Sequence, residues 1–126
     1  MANFSVKKKD RYSVVTPLME KLDSRVSPEL KSELVMINST GDKNIIIDLS
    51  NCKYCDSSGL SAILIGSRLC RDAEGSFVLA NLQEAVKKLV VISQLDSVLT
   101  ITPTLDEAEQ ILMMDEIERG LGDKEE

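Results

Sequence analysis

Asp56-Ser57-Ser58-Gly59-Leu60 lies between an apolar run and a segment with helical periodicity. The preceding residues 44–49, Asn-Ile-Ile-Ile-Asp-Leu, have the consecutive β-branched side chains of a strand that is buried on both faces, as in a parallel sheet covered by helices. Apolar side chains then recur near helical spacing, at Leu60, Ile63, Leu64 and Cys70. The sequence therefore predicts that a strand ends here, the chain turns, and a helix begins at two hydroxyl side chains.

The start of this helix is a favourable place for a phosphate group, either as a ligand or carried on a serine. The first N–H groups of a helix have no partner within the helix, and the positive end of the macrodipole lies there. A simpler interpretation is that Asp56 or Ser57 only caps the helix, as short polar residues commonly do. The local pattern leaves both interpretations open.

Composition indicates one globular domain and argues against several classes of function. The 126 residues are 43% hydrophobic and 29% charged, with a net charge of −6. The longest basic run is Lys7-Lys8-Lys9, so nucleic acid is not an expected partner. No apolar run approaches the roughly 20 residues of a membrane span, and the N-terminus lacks the apolar core of a signal peptide. We therefore expect a cytoplasmic protein without membrane insertion.

Histidine is absent from the chain. This excludes Ser-His-Asp and Cys-His nucleophile systems and most catalytic zinc sites. We therefore expect no bound metal or other cofactor.

The rest of the sequence alternates between strands and helices. Strands are predicted at residues 4–8, 12–16, 45–49, 76–80 and 98–101, and helices from residue 27, from 57 or 58, over 83–93 and from 104. A tight turn at Asp10-Arg11 would make the first two strands an antiparallel hairpin, and the repeated β-α-β steps imply parallel strands. The predicted fold is α/β, with a mixed, mostly parallel sheet, an N-terminal hairpin and about four helices.

Four further predictions concern the helices and the domain limits. Ser27 is expected to cap the first helix, and the third helix is expected to turn Val86, Leu89, Val90 and Ile92 inward. Gly120 is expected to end the last helix. The single domain of residues 1–126 would then have a core over about 4–119 and a mobile acidic tail at 120–126.

The sequence resembles the STAS family, the fold of bacterial anti-sigma factor antagonists. The matching segments lie in family order over about residues 4–111, and the signature itself is Asp56-Ser57-Ser58-Gly59-Leu60. The other matching segments are Leu22-Asp23, Ile46-Ile47-Asp48-Leu49-Ser50, Leu79-Ala80-Asn81 and residues 104–108. Glu20 stands where the family often has glycine, which implies a differently shaped loop near the signature and a different partner.

The resemblance implies a function in partner switching, and a protein that is not an enzyme. Ser57 would be the phosphoacceptor, surrounded by Asp23, Asp56, Ser58 and Gly59. The unmodified protein would bind an anti-sigma factor that is also a serine kinase, would separate from it after phosphorylation, and would be reset by a serine phosphatase. An alternative is a STAS module of a transport or signalling complex that is not phosphorylated.

A second apolar line on the predicted helix follows Ala62, Ile65 and Leu69. It has two interpretations: the helix is buried on two sides, or the line is an exposed docking strip for the partner beside Ser57.

Cys52 and Cys55 form a C-x-x-C motif just before the helix and suggest a different class, a thioredoxin-like redox protein. Two features argue against it. Asp56 follows the motif and should disfavour a thiolate, and the STAS resemblance places both cysteines at apolar positions, where buried cysteine is a small hydrophobe.

Overall fold

The computed structural model describes residues 3–125, with side chains as far as Gly120. Its helices and strands follow one another along the chain as β1 Phe4–Lys8, β2 Ser13–Pro17, β3 Lys21–Leu22, α1 Ser27–Ser39, β4 Ile45–Asp48, β5 Tyr54–Cys55, α2 Ser57–Asp72, β6 Phe77–Ala80, α3 Glu84–Ile92, β7 Thr100–Thr102 and α4 Leu105–Glu125.

Five strands form the main sheet in the order β1-β2-β4-β6-β7. β1 and β2 are antiparallel, and the other neighbours are parallel. This confirms the predicted α/β fold, with its mixed sheet and N-terminal hairpin. β3 and β5 form a second, two-stranded parallel sheet that the sequence did not predict.

The two faces of the main sheet are covered differently. Successive side chains of a strand point to opposite faces, so Ile45 and Ile47 lie in one core and Ile46 in the other. The first core includes side chains of α1, α2 and α3. The second core is covered by α4 through Ala108 and Leu112. All three isoleucines have no exposed surface, which confirms that β4 is buried on both faces.

The structure corrects three predictions about the helices. Ser27 is the first helical residue rather than the cap, and its hydroxyl donates a hydrogen bond to the backbone oxygen of Asp23. Val86 and Val90 of α3 are buried, but Ile92 is 78% exposed, because it lies in the last turn, beyond the core. α4 continues through Gly120 to Glu125. Gly120 lacks the positive φ with which a glycine ends a helix.

The tail expected at 120–126 lies within or next to α4, which extends to Glu125, and side chains are described only as far as Gly120, so its mobility stays a prediction. Within the described residues, the helices include none that combines the length and apolar character of a membrane span.

Candidate phosphorylation site at the start of α2

The small sheet brings together two motifs that are far apart in sequence. β3 and β5 pair Leu22 with Cys55, and the backbone N–H of Asp56 donates to the backbone oxygen of Leu22 at 3.2 Å. Asp23 directly follows β3, and Asp56 directly follows β5. Because the two strands are parallel, both aspartates emerge at the same end of this sheet, at the start of α2.

Gly59 lets α2 begin directly against the small sheet. A Cβ atom at this position would lie 2.4 Å from the backbone oxygen of Leu22 and 2.7 Å from the Sγ atom of Cys55. Both distances are far below van der Waals contact. The glycine of the signature is therefore required by the close approach of the helix to β3 and β5.

Asp56 is the residue that caps α2. Its backbone is extended, and its Oδ1 atom accepts hydrogen bonds from the backbone N–H of Gly59 at 3.0 Å and from the Ser58 hydroxyl at 2.6 Å. Both hydrogen bonds lower the pKa of the Asp56 carboxyl, and the bond from the Ser58 hydroxyl has the larger effect. Of the two capping residues considered from the sequence, Asp56 and Ser57, it is Asp56 that occupies the capping position.

The Ser58 hydroxyl is part of a polar network. It lies between the Asp56 carboxylate and the hydroxyl of Ser27, at an oxygen–oxygen distance of 3.1 Å from the latter. The Ser27 hydroxyl also lies 2.7 Å from the backbone oxygen of Asp23. A carboxylate and a carbonyl can only accept hydrogen bonds. The Ser58 hydroxyl therefore donates its proton to the Asp56 carboxylate, and the Ser27 hydroxyl donates its proton to the backbone oxygen of Asp23. Ser58 is half-buried, and its hydroxyl is already engaged.

Ser57 differs from its neighbour in both respects. It is the first residue of α2 and its side chain is exposed. Its hydroxyl has no hydrogen-bond partner among residues 3–120. Of the two adjacent serines, Ser57 therefore presents the accessible hydroxyl, at the positive end of a 16-residue helix.

The surroundings of Ser57 contain charges of both signs. A nitrogen of the Arg25 guanidinium lies 2.8 Å from the Oδ2 atom of Asp23, and this hydrogen-bonded pair lowers the pKa of Asp23. The charge of Lys21 also lowers the pKa of Asp23. Lys53 pairs with Glu20 at 3.4 Å, but both residues precede the small sheet, at the end opposite to Asp23 and Asp56. Among residues 3–120, Asp23 is therefore paired with Arg25 at the start of α2, whereas Asp56 has no cation within ion-pair distance.

Glu20 occupies its position without strain. Its φ is not positive, and its backbone oxygen accepts hydrogen bonds from the N–H groups of Lys53 and Tyr54 at 2.8 and 3.0 Å. The loop therefore has no need of glycine here.

A comparison with known families assigns the chain. Residues 3–108 match the family model described as the STAS domain. The chain belongs to the STAS domain family. One curated relative is BtrV of Bordetella bronchiseptica, a protein named as a proposed anti-sigma factor antagonist. The two sequences are 25% identical over 87 residues, which cover 69% of this chain and 75% of BtrV.

Solved structures show the same fold. A STAS domain protein from Planctomyces limnophilus aligns with a TM-score of 0.81 at 17% identity, over 89% of this chain and 99% of that one. SpoIIAA of Bacillus has been solved unphosphorylated and phosphorylated. Both forms align with a TM-score of 0.67 at 18% identity, over 91% and 86% of this chain and 97% and 98% of SpoIIAA.

The apolar line on α2 of this STAS domain is not an exposed strip. Ala62 is 1% exposed and belongs to the main core, and Leu69 is half-buried and packs against that core. Ile65 is half-buried and belongs to neither core cluster. The interpretation that α2 is buried on two sides accounts for Ala62 and Leu69, and Ile65 is the one member of the line outside both cores.

The two cysteines before α2 are buried and form no disulfide. Burial raises the pKa of both thiols, that of Cys55 to about 12, and the charges of Cys52 and Asp56 add to the effect on Cys55. A thiolate is therefore disfavoured at both positions, which argues against the thioredoxin-like interpretation. Within the described residues, no group of three or more Cys, Asp or Glu side chains is arranged to hold a metal ion.

Proposed function

We propose that this STAS protein is an anti-sigma factor antagonist that acts by partner switching, with Ser57 as its phosphoacceptor. The observation that carries the proposal is the contrast between the two serines. Ser57 has an exposed hydroxyl without a hydrogen-bond partner among residues 3–120, whereas the Ser58 hydroxyl donates to the Asp56 carboxylate and lies against the Ser27 hydroxyl. The name of BtrV and the two forms of SpoIIAA support the same function.

In the proposed cycle the unmodified surface around Ser57 binds an anti-sigma factor that is also a serine kinase. The Ser57 oxygen attacks the γ-phosphorus of ATP, the bond from this phosphorus to the β–γ bridging oxygen breaks, and ADP leaves. The hydroxyl proton goes to a base of the kinase. The protein is the substrate of this reaction and catalyses nothing itself, and it acts in the cytoplasm.

Phosphorylation would change the charge of the surface rather than the fold. A phosphoserine adds about −1.5 to −2 charges at neutral pH, close to the carboxylates of Asp23 and Asp56. A kinase surface that is complementary to the unmodified site would be repelled by this change. A serine phosphatase would hydrolyse the ester and restore binding. Ile65 on α2 is proposed as an apolar contact of the same partner.

The test uses tagged wild type, Ser57→Ala and Ser58→Ala expressed in the native host. Trypsin releases the peptide 54–68, which contains four serines, so fragment-ion spectra must assign the phosphate. The proteins that co-purify are identified, and the candidate kinase is then purified and incubated with each variant and ATP.

We expect phosphate on Ser57 in wild type and Ser58→Ala, and none in Ser57→Ala, which should stay bound to the kinase in the presence of ATP. Phosphate on Ser58 alone would contradict the assignment. Stable binding of a partner with no phosphate on either serine would instead indicate a STAS module that is not phosphorylated.

A further inference from the structure

The outer face of α4 is apolar and exposed. Met113, Met114 and Ile117 are 40%, 61% and 60% exposed, and Gln110 continues the same face. The intervals of three and four residues are those of a helix seam that packs against another helix. We call Gln110, Met113, Met114 and Ile117 the α4 outer face. All four residues lie beyond the family match, which ends at residue 108.

The inner face of α4 is held firmly to the sheet. Ala108 and Leu112 are fully buried in the second core. Further along the helix, the Arg119 guanidinium donates to the hydroxyl of Ser76 at 3.0 Å and to the side-chain oxygen of Asn44 at 3.2 Å. These contacts fix the rotation of α4, so the outer face is turned away from the sheet.

The charge on α4 indicates what this face would bind. Between residues 105 and 120 there are six acidic residues and one basic residue, a net charge of −5 in a chain whose total is −6. Asp106, Glu107 and Glu118 are exposed beside the outer face. None of these three has a cation within ion-pair distance among residues 3–120. A methionine-rich apolar face with unmatched acids at its margins is complementary to a helix with an apolar face and basic margins.

We propose that the α4 outer face is a docking site for a basic amphipathic helix of a partner protein. A second copy of this chain would bring two helices of net charge −5 together, and an anionic membrane surface would repel the same acids. α4 and α2 cover opposite faces of the main sheet. The site is therefore separate from Ser57, and both can be occupied at once.

The probe is a synthetic amphipathic peptide of leucine, lysine and alanine, about 20 residues long, so that it spans α4 as a helix. A peptide of the same composition in scrambled order is its control. Fluorescence anisotropy measures Kd for wild type and for two lysine variants. Met114→Lys changes the outer face, and Met36→Lys is the matched control, since Met36 is an equally exposed methionine on α1, at 62%.

We expect the amphipathic peptide to bind wild type and Met36→Lys alike, and Met114→Lys at least about tenfold more weakly. Affinity should fall as salt is raised, and Ser57→Asp should leave it unchanged. If circular dichroism shows that Met114→Lys is unfolded, Ile117→Lys is used in its place. Equal binding by the outer-face and control variants, or equal binding of the scrambled peptide, would overturn the proposal. So would a wild-type dimer in sedimentation that Met114→Lys abolishes, or a loss of peptide affinity in Ser57→Asp.

Discussion

Gly59 is required because β3 lies too close for a side chain, and not because its backbone adopts a positive φ. A methyl group there would meet the backbone of Leu22, which cannot move away as a flexible side chain could. We expect Gly59→Ala to lower the free energy of unfolding by about 1–3 kcal/mol, as measured by urea denaturation. Gly120→Ala is the control, because no described atom lies within 4 Å of the added carbon. Alanine in this helix should stabilise by about 0.5–1 kcal/mol. Equal effects of the two substitutions would contradict this explanation.

The Asp56 carboxyl makes the free energy of unfolding depend on pH. Its pKa is held below the usual value of 3.8 by hydrogen bonds from Ser58 and Gly59. A group whose pKa is lower when folded stabilises the protein above its unfolded pKa, and this stability is lost as pH falls through the folded pKa. Asp56→Asn keeps a capping oxygen but not the charge. We therefore expect wild type to exceed Asp56→Asn in free energy of unfolding at pH 7, and the difference to shrink below about pH 4. A difference that is constant with pH would show that the charge has no part.

Two members of the apolar line on α2, Ala62 and Ile65, separate core from surface. Ala62→Asp places a carboxylate in the main core and should cost several kcal/mol, enough to remove cooperative unfolding. Ile65→Asp should keep a cooperative transition in circular dichroism, because that side chain is only half-buried. In the co-purification assay it should bind less kinase than wild type. If Ile65→Asp also fails to unfold cooperatively, Ile65 belongs to the core and not to the partner surface.

At the scale of elements, long periodic segments were predictable and short or contact-dependent ones were not. The apolar run of β4 and the spacing of α2 stand out in the sequence. β3 and β5 have two residues each, too few to show a period, and they exist because Leu22 and Cys55 pair across more than thirty residues of sequence. The Asp56 cap and the exposure of Ser57 likewise depend on contacts with Leu22, Ser27 and Gly59. The sequence could only place both serines at a helix start.

At the scale of the whole molecule, α2 and α4 cover opposite faces of one sheet, and each presents a surface of different chemistry. Beside Ser57, Asp23 is paired with the cation Arg25, whereas the acids beside the α4 outer face have no cation within ion-pair distance among residues 3–120. A modification at one face can therefore change one set of contacts while the sheet between them keeps its packing. This separation requires that a phosphate at Ser57 be tolerated by the fold.

That requirement can be tested by genetically encoded phosphoserine at position 57 or 58. At Ser57 the positive helix end stabilises the phosphate by about 0.3–1 kcal/mol, and repulsion from Asp56 and Asp23 acts in the opposite direction. We expect the free energy of unfolding to stay within about 1 kcal/mol of the unmodified protein in urea titrations. Phosphoserine at 58 should be markedly more destabilising, because the phosphate would be forced against the Asp56 carboxylate and the Ser27 hydroxyl. If position 57 costs as much as position 58, phosphorylation acts by disturbing the start of α2, and a switch confined to surface charge is wrong.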